Sequence, residues 1–172
     1  MTRLLLIIPL FGAFVPVGNA PSRRPVASLC SAQERIIFSC RPLETKVVSL
    51  CASSVLTSTS GYMQYRFGRL GQPPEFSYPQ NQEHPKDHFR SGTLMYSGGG
   101  GAYLEFTNGD YKYVIFDGIG KGWESEGVEV SKAGKQVSLL PCRDRSYGEM
   151  GPDLFEKAAI PASNDDDFEI PY

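Results

Sequence analysis

Alternating apolar and polar residues dominate the second half of the chain. The clearest run is AYLEFTNGDYKYVIF, residues 102–116, in which two alternating segments are joined by Asn108 and Gly109. An Asn-Gly pair supplies the positive φ angles of a type I′ turn, so this run predicts a β-hairpin. The predicted register places Glu105 opposite Lys112 on a solvated face, with the apolar residues on the other, buried face.

Further strands are predicted on both sides of this hairpin. The runs RIIFSC, KVVSLC, YMQYRF and TLMYS have strand composition, and a long proline-containing loop carries a short edge-strand candidate, EFSY. The run VEVSKAGKQVSLL, residues 128–140, predicts a second hairpin with Val130 opposite Val137. Its turn signal is weaker, because Ala133 tolerates positive φ poorly.

The end of the chain departs from this strand pattern. PDLFEKAA predicts a short helix, with Pro152 at the first helical position and Pro161 stopping it. The final stretch, SNDDDFEIPY, has no helical period, and we expect it to be mobile. The predicted fold class is mostly β: a single antiparallel sheet, curled or closed as a small barrel, with a short C-terminal helix and an acidic tail.

Two glycine-rich stretches, YSGGGGAYLEF and GIGKGWES, raise the question of a phosphate-binding loop. Such a loop connects a strand to a helix whose N-terminus faces the phosphate. Both stretches lead instead into predicted strands. The pattern therefore favours bending, bulging or close approach of the backbone within a sheet.

The start of the chain is typical of a secretory signal peptide. Arg3 precedes the uncharged run LLLIIPLFGAFVPV, which ends in the small residues GNA and is short for a membrane span. We assign residues 1–20 to the signal, residues 21–150 to a disulfide-tied β domain, and residues 151–172 to the short helix and acidic tail. Pro21 directly after Ala20 is unfavourable for cleavage at that bond, so more than one cleavage position is compatible with the sequence.

The four cysteines predict two disulfides. Cys30, Cys40, Cys51 and Cys142 are separated by nine or more residues, unlike the close pairs of a metal site. Spacing alone leaves three connectivities open. Because Cys40 ends the first predicted strand and Cys142 ends the last, we expect these two to be joined, which leaves Cys30 with Cys51. An oxidising compartment, periplasmic or secreted, follows from two disulfides.

Charge and motifs exclude several function classes. The net charge is −2, and loss of residues 1–20, which contain one basic residue, makes it −3, so nucleic acid is not an expected partner. We expect no stable membrane insertion once the signal is removed. His84 and His88 are interpreted as loop histidines, and Ser97 lacks the GxSxG context of a hydrolase. No catalytic residue, metal site or cofactor is predicted, although a carboxylate pair distant in sequence remains open for an enzyme.

Three segments resemble a known family of exported proteins. In order and rough spacing, SGGGGAYLEF, YVIFDGIGKG and VSLLPC resemble the signature of the bacterial periplasmic inhibitors of c-type lysozyme. The resemblance covers about residues 36–142 and implies a small disulfide-tied β-barrel. It also implies that Ser97 and Gly98 belong to a loop inserted into the lysozyme cleft, and that Lys121 pairs with a catalytic carboxylate.

These observations predict a binding patch and two function classes. If the two glycine-rich segments meet at one end of the sheet, Tyr103, Lys121 and Trp123 would join Ser97 and Gly98 in one patch. Trp123 is alternatively a core residue that covers the open end of the sheet. The predicted function is an exported module that binds another exported protein, such as a lysozyme-like cell-wall lytic enzyme. The alternative is an envelope enzyme or a structural domain.

Overall fold

The computed structural model describes residues 27–164 and 168–172. The predicted signal peptide, residues 1–20, lies outside the described residues. The elements are β1 Glu34–Leu43, β2 Lys46–Ser53, β3 Met63–Gly68, β4 Phe76–Tyr78, a 3₁₀ helix Pro85–Asp87, β5 Arg90–Tyr96, β6 Gly99–Asn108, β7 Tyr111–Gly120, β8 Trp123–Lys132, β9 Lys135–Pro141, β10 Tyr147–Gly148 and α1 Pro152–Lys157. Over this part of the chain, no helix has the length and apolar character needed to cross a membrane.

The strands form two antiparallel sheets. The first has the order β10-β1-β2-β3-β4, and the second runs β5 to β9 in chain order. The mostly β prediction and the short helix are confirmed, whereas the single sheet is wrong and closure into a barrel is not confirmed. The edge strand β4 is three residues long and is followed directly by Pro79. Because proline cannot donate to a sheet ladder, pairing stops there, and the second sheet begins only at β5.

One hydrophobic core lies between the two sheets. Phe106 on β6 is its centre, with its ring stacked on Tyr78 at 4.2 Å and on Tyr113 at 4.8 Å. Leu154 and Phe155 of α1 are buried in the same cluster, so the helix closes one side of the core. The proline-started helix predicted from the sequence thus has a packing role.

The β6–β7 hairpin has the predicted faces but a different register. Glu105 pairs with Val114 rather than Lys112, because the turn centres on Gly109 (φ 59°) and Asn108 remains in the strand. The shift is by two residues, so every side chain keeps its face. The predicted ion pair still forms along the diagonal, with Lys112 Nζ 2.8 Å from Glu105 Oε2.

The β8–β9 hairpin differs from its predicted register by one residue. Val130 pairs with Ser138 instead of Val137, because a bulge lies between Val130 and Ser131. In its turn, Ala133 adopts the left-handed region at φ 49°, followed by Gly134 at φ 72°. The turn therefore forms despite the steric cost of the alanine Cβ.

Replacing Ala133 with glycine is expected to stabilise the protein. Ala133→Gly removes the steric cost at positive φ, and we expect a gain of about 0.5–1 kcal/mol in the free energy of unfolding. Denaturant unfolding measures this change. Ala162→Gly is the matched control, because Ala162 is exposed and has no positive φ, so glycine there should not stabilise. An Ala133→Gly variant no more stable than the parent would contradict the assigned strain.

Both predicted disulfides are confirmed. Cys30 is joined to Cys51 and ties the segment before β1 to the first sheet. Cys40 of β1 is joined to Cys142, which follows β9, and so links the two sheets covalently. No free cysteine is found in the described part of the chain.

An ion pair also fastens the segment before β1. Arg66 donates to both carboxylate oxygens of Glu34, at 2.7 and 2.8 Å, and to the carbonyl of Leu29 at 3.0 Å. Glu34 accepts further hydrogen bonds from the Ser31 N–H and the Tyr62 hydroxyl. The side chain of Glu34 is only 3% exposed, so this is a nearly buried charge pair.

Candidate functional site

Two turns meet side by side at one end of the second sheet. Ser97 and Gly98 connect β5 to β6, and Lys121 and Gly122 connect β7 to β8. The Lys121 N–H donates to the Ser97 carbonyl at 2.8 Å. A Cβ at Gly98 would lie 3.3 Å from the Lys121 Cβ, so the two turns are in close contact. Ser97, Gly98 and Lys121 are all exposed, and the structure brings these three predicted residues together.

Trp123 lies next to this end, on the outer face of the second sheet. Its ring covers Gly120, where an added Cβ would lie 2.4 Å from the indole. Tyr96 meets the indole edge-on at 5.0 Å, and Tyr172 stacks on it at 4.6 Å. Trp123 is half-buried and lies outside the core between the sheets. It is therefore neither the core residue nor the freely exposed anchor considered from the sequence.

Tyr103 is not part of an exposed patch. It lies on the same outer face, is 4% exposed, and its ring packs 4.7 Å from that of Phe168. An added Cβ at Gly92 would lie 2.2 Å from the Tyr103 ring, so the tyrosine lies flat across the neighbouring strand. The structure separates Tyr103 from the surface around Lys121.

Glycines of the two glycine-rich stretches allow another part of the chain to pack closely on the second sheet. Gly101 on β6 pairs with Gly118 on β7. An added Cβ at Gly101 or Gly118 would lie 2.4 or 2.5 Å from the Ile170 Cδ1 atom. Of the three predicted roles, bending, bulging and close approach, the structure shows close approach at Gly101 and Gly118, and no helix follows either stretch.

The segment that makes this approach is the end of the chain, residues 168–172, here named the tail segment. Phe168 and Ile170 are buried in a second hydrophobic cluster with Tyr103 and Phe116. The expectation of a mobile tail is therefore wrong for Phe168 and Ile170, which are packed against the sheet. The alternation in FEIPY, apolar at every second position, is the sequence signal that could have indicated a packed, extended segment.

Among the described residues, Asp110, Glu129 and Glu169 line one pocket on the second sheet, and Glu124, Glu126 and Asp144 line another. Asp117 pairs directly with Glu126 across β7 and β8, and burial together with the Glu126 charge raises the pKa of Asp117. The adjacent groove is lined by Glu124, Glu126 and Asp144, and Asp117 lies beside Glu126 on the neighbouring strand.

The histidines lie in the loop, as interpreted from the sequence, and each has a contact of its own. His84 Nε2 lies 2.9 Å from the Thr57 carbonyl oxygen, and His88 pairs with Glu83 at 2.5 Å. Among the described residues, no group of three histidine, cysteine, aspartate or glutamate side chains is arranged to hold a metal ion.

Comparisons with protein-family models, curated proteins and solved structures found no match.

Proposed function

We propose that the protein is an exported binding module that inhibits a cell-wall lytic enzyme of the c-type lysozyme class. The binding surface is the pair of turns formed by Ser97, Gly98 and Lys121. The observation that carries the proposal is the hydrogen bond from the Lys121 N–H to the Ser97 carbonyl, which holds both turns in one exposed edge. These are the residues that the lysozyme-inhibitor resemblance assigns to cleft insertion and to pairing with a carboxylate.

The geometry suits recognition of an acidic cleft. A narrow turn of serine and glycine has little side-chain bulk and can enter a groove, and Lys121 supplies a positive charge beside it. The hydrogen bond between the turns orders this edge before binding, which reduces the entropy lost on association. Truncating a lysine that pairs with a desolvated carboxylate costs much of the affinity, because the carboxylate is then left buried without its partner.

The two disulfides support an extracytoplasmic location for this function. Disulfides persist in oxidising compartments, where a lysozyme-like enzyme would also be encountered. Neither disulfide includes a residue of the two turns: Cys30–Cys51 ties the segment before β1 to β2, and Cys40–Cys142 joins the two sheets.

Lys121→Ala is expected to weaken lysozyme inhibition at least about tenfold, which corresponds to about 1.4 kcal/mol, while leaving stability nearly unchanged. The measurement is the inhibition constant against a c-type lysozyme together with the melting temperature. Lys135→Ala is the matched control, since Lys135 is an exposed lysine at the start of β9, beside the β8–β9 turn at the opposite end of the sheet. Equal inhibition by the Lys121→Ala protein and the parent would show that Lys121 is not part of the binding surface.

A further inference from the structure

The outer face of the second sheet is a shaped groove, and the tail segment occupies it. Its floor is formed by Gly101 and Gly118, which leave a depression where other residues would place a Cβ. Ile170 fills the depression and is 1% exposed. On one side Phe168 packs on Tyr103, and on the other Tyr172 stacks on Trp123. Alternate side chains of the tail segment thus enter the groove.

The polar contacts of this groove are made with the backbone of its occupant. The Ile170 N–H donates to the Tyr96 hydroxyl oxygen at 3.1 Å, and the Ser125 hydroxyl donates to the Pro171 carbonyl. Such contacts can bind the backbone of any extended segment, whereas the places that receive its side chains select for particular residues. This division, backbone bonds for affinity and alternate pockets for specificity, is the general mode of extended-peptide recognition.

The tail segment contributes few buried side chains to its packing in the groove. Phe168 and Ile170 are buried, but Tyr172 is 84% exposed even though its ring stacks on Trp123. The segment has no strand pairing with the sheet. Without it, an aromatic surface that includes Tyr96, Phe116 and Trp123 would be open to another occupant, and such patches are typical of interaction sites.

We infer that this groove is a peptide-binding site, which the tail segment fills in cis and which accepts in trans an extended peptide of the same chemistry. The ligand class is a segment of another protein with an aromatic residue, any residue, isoleucine, proline and a second aromatic residue in succession. Two glycines facing each other on adjacent strands weaken a sheet, and here they create the space for the isoleucine. The inference does not rest on lysozyme inhibition, because the groove lies on the outer face of the sheet and contains none of Ser97, Gly98 and Lys121, although Tyr96 and Trp123 adjoin the two turns.

Trp123 is the only tryptophan of the chain and reports directly on the groove. In the experiment, Ile170→Asp in the full chain removes the residue that fills the depression. The probe is a synthetic peptide with the sequence of residues 164–172, added to the folded variant. We expect a saturable change in Trp123 fluorescence. A peptide carrying the same Ile170→Asp change should bind at least about tenfold more weakly.

Gly118→Val is the matched variant that blocks the groove. An added Cβ at Gly118 would meet Ile170 at 2.5 Å, whereas the nearest backbone atoms of the sheet lie at 3.5 Å, which is ordinary van der Waals contact. The Gly118→Val chain should remain folded by circular dichroism and give no fluorescence response to the peptide. A response equal to that of the Ile170→Asp chain would place peptide binding elsewhere and overturn the inference.

A second measurement covers the case in which Ile170→Asp prevents folding. A protease site inserted after Asn164 allows the folded parental chain to be cut, and retention of the released tail segment is then followed by mass spectrometry. We expect excess synthetic peptide to displace the cut segment. Absence of exchange, or of any saturable Trp123 signal in the folded variant, would show that the tail segment is only a structural cover.

Discussion

Removal of the Cys40–Cys142 disulfide is expected to lower the free energy of unfolding by about 4–5 kcal/mol. The bond closes a loop with a sequence separation of 102 residues, and on the chain-entropy model a loop of this length restricts the unfolded chain strongly. It also joins the two sheets, which have separate hydrogen-bond ladders. Denaturant unfolding of a Cys40→Ser, Cys142→Ser protein measures the loss.

The second disulfide is the matched control for this prediction. Cys30 and Cys51 are separated by 21 residues, so the same model gives about 3 kcal/mol for their removal. The order of the two losses is the informative result. A smaller loss for the Cys40–Cys142 pair than for the Cys30–Cys51 pair would mean that the connection between the sheets is not a major source of stability.

Lowering the pH is expected to reduce the free energy of unfolding by about 3 kcal/mol, because Glu34 becomes protonated. Burial alone would raise the pKa of Glu34, but the hydrogen bonds from Arg66, Ser31 and Tyr62 and the Arg66 charge outweigh it and lower the pKa to about 2. A carboxyl group whose pKa is lower in the folded state stabilises the protein above its unfolded pKa, here 4.5. The contribution is therefore full at neutral pH and is lost as the pH falls from about 4.5 through about 2.

Glu34→Gln isolates this contribution from that of other carboxylates. At pH 7 the variant leaves Arg66 without its charged partner in a nearly buried site, so we expect a loss of about 3 kcal/mol. The difference between parent and variant should shrink as the pH approaches 2, because Glu34 becomes protonated in the parent. Unfolding free energies from pH 7 to 2 test this, and a difference independent of pH would be inconsistent with the low pKa of Glu34.

The sequence predicted strands and faces better than register. Alternation in residues 102–116 identifies which side chains of β6 and β7 are buried, because the period of two survives a shift by two residues. It does not show that Asn108 stays in the strand or that a bulge follows Val130, since both depend on backbone pairing across the hairpin. The division of the strands into two sheets was likewise not predicted, because strand composition does not show which neighbouring strands are hydrogen-bonded to each other.

The candidate site was predicted in part, for a comparable reason. Ser97, Gly98 and Lys121 lie in turns between adjacent strands, so local sequence places them at the same end of a sheet. Tyr103 lies in the middle of β6, and its cover comes from Phe168, which is distant in sequence. Close approach was one of three roles predicted for the glycine clusters, beside bending and bulging. Its location at Gly101 and Gly118 and its partner Ile170 were not predicted, because no local pattern links glycines to a tail segment.

The most direct measurement of the central claim is cell-wall hydrolysis by a c-type lysozyme in the presence of the oxidised parental protein. We expect the rate to fall in proportion to added protein and to reach its minimum near equal molar amounts. Residual inhibition by the Lys121→Ala protein should require a higher concentration. An unchanged hydrolysis rate in large molar excess of the folded parental protein would contradict the proposed function.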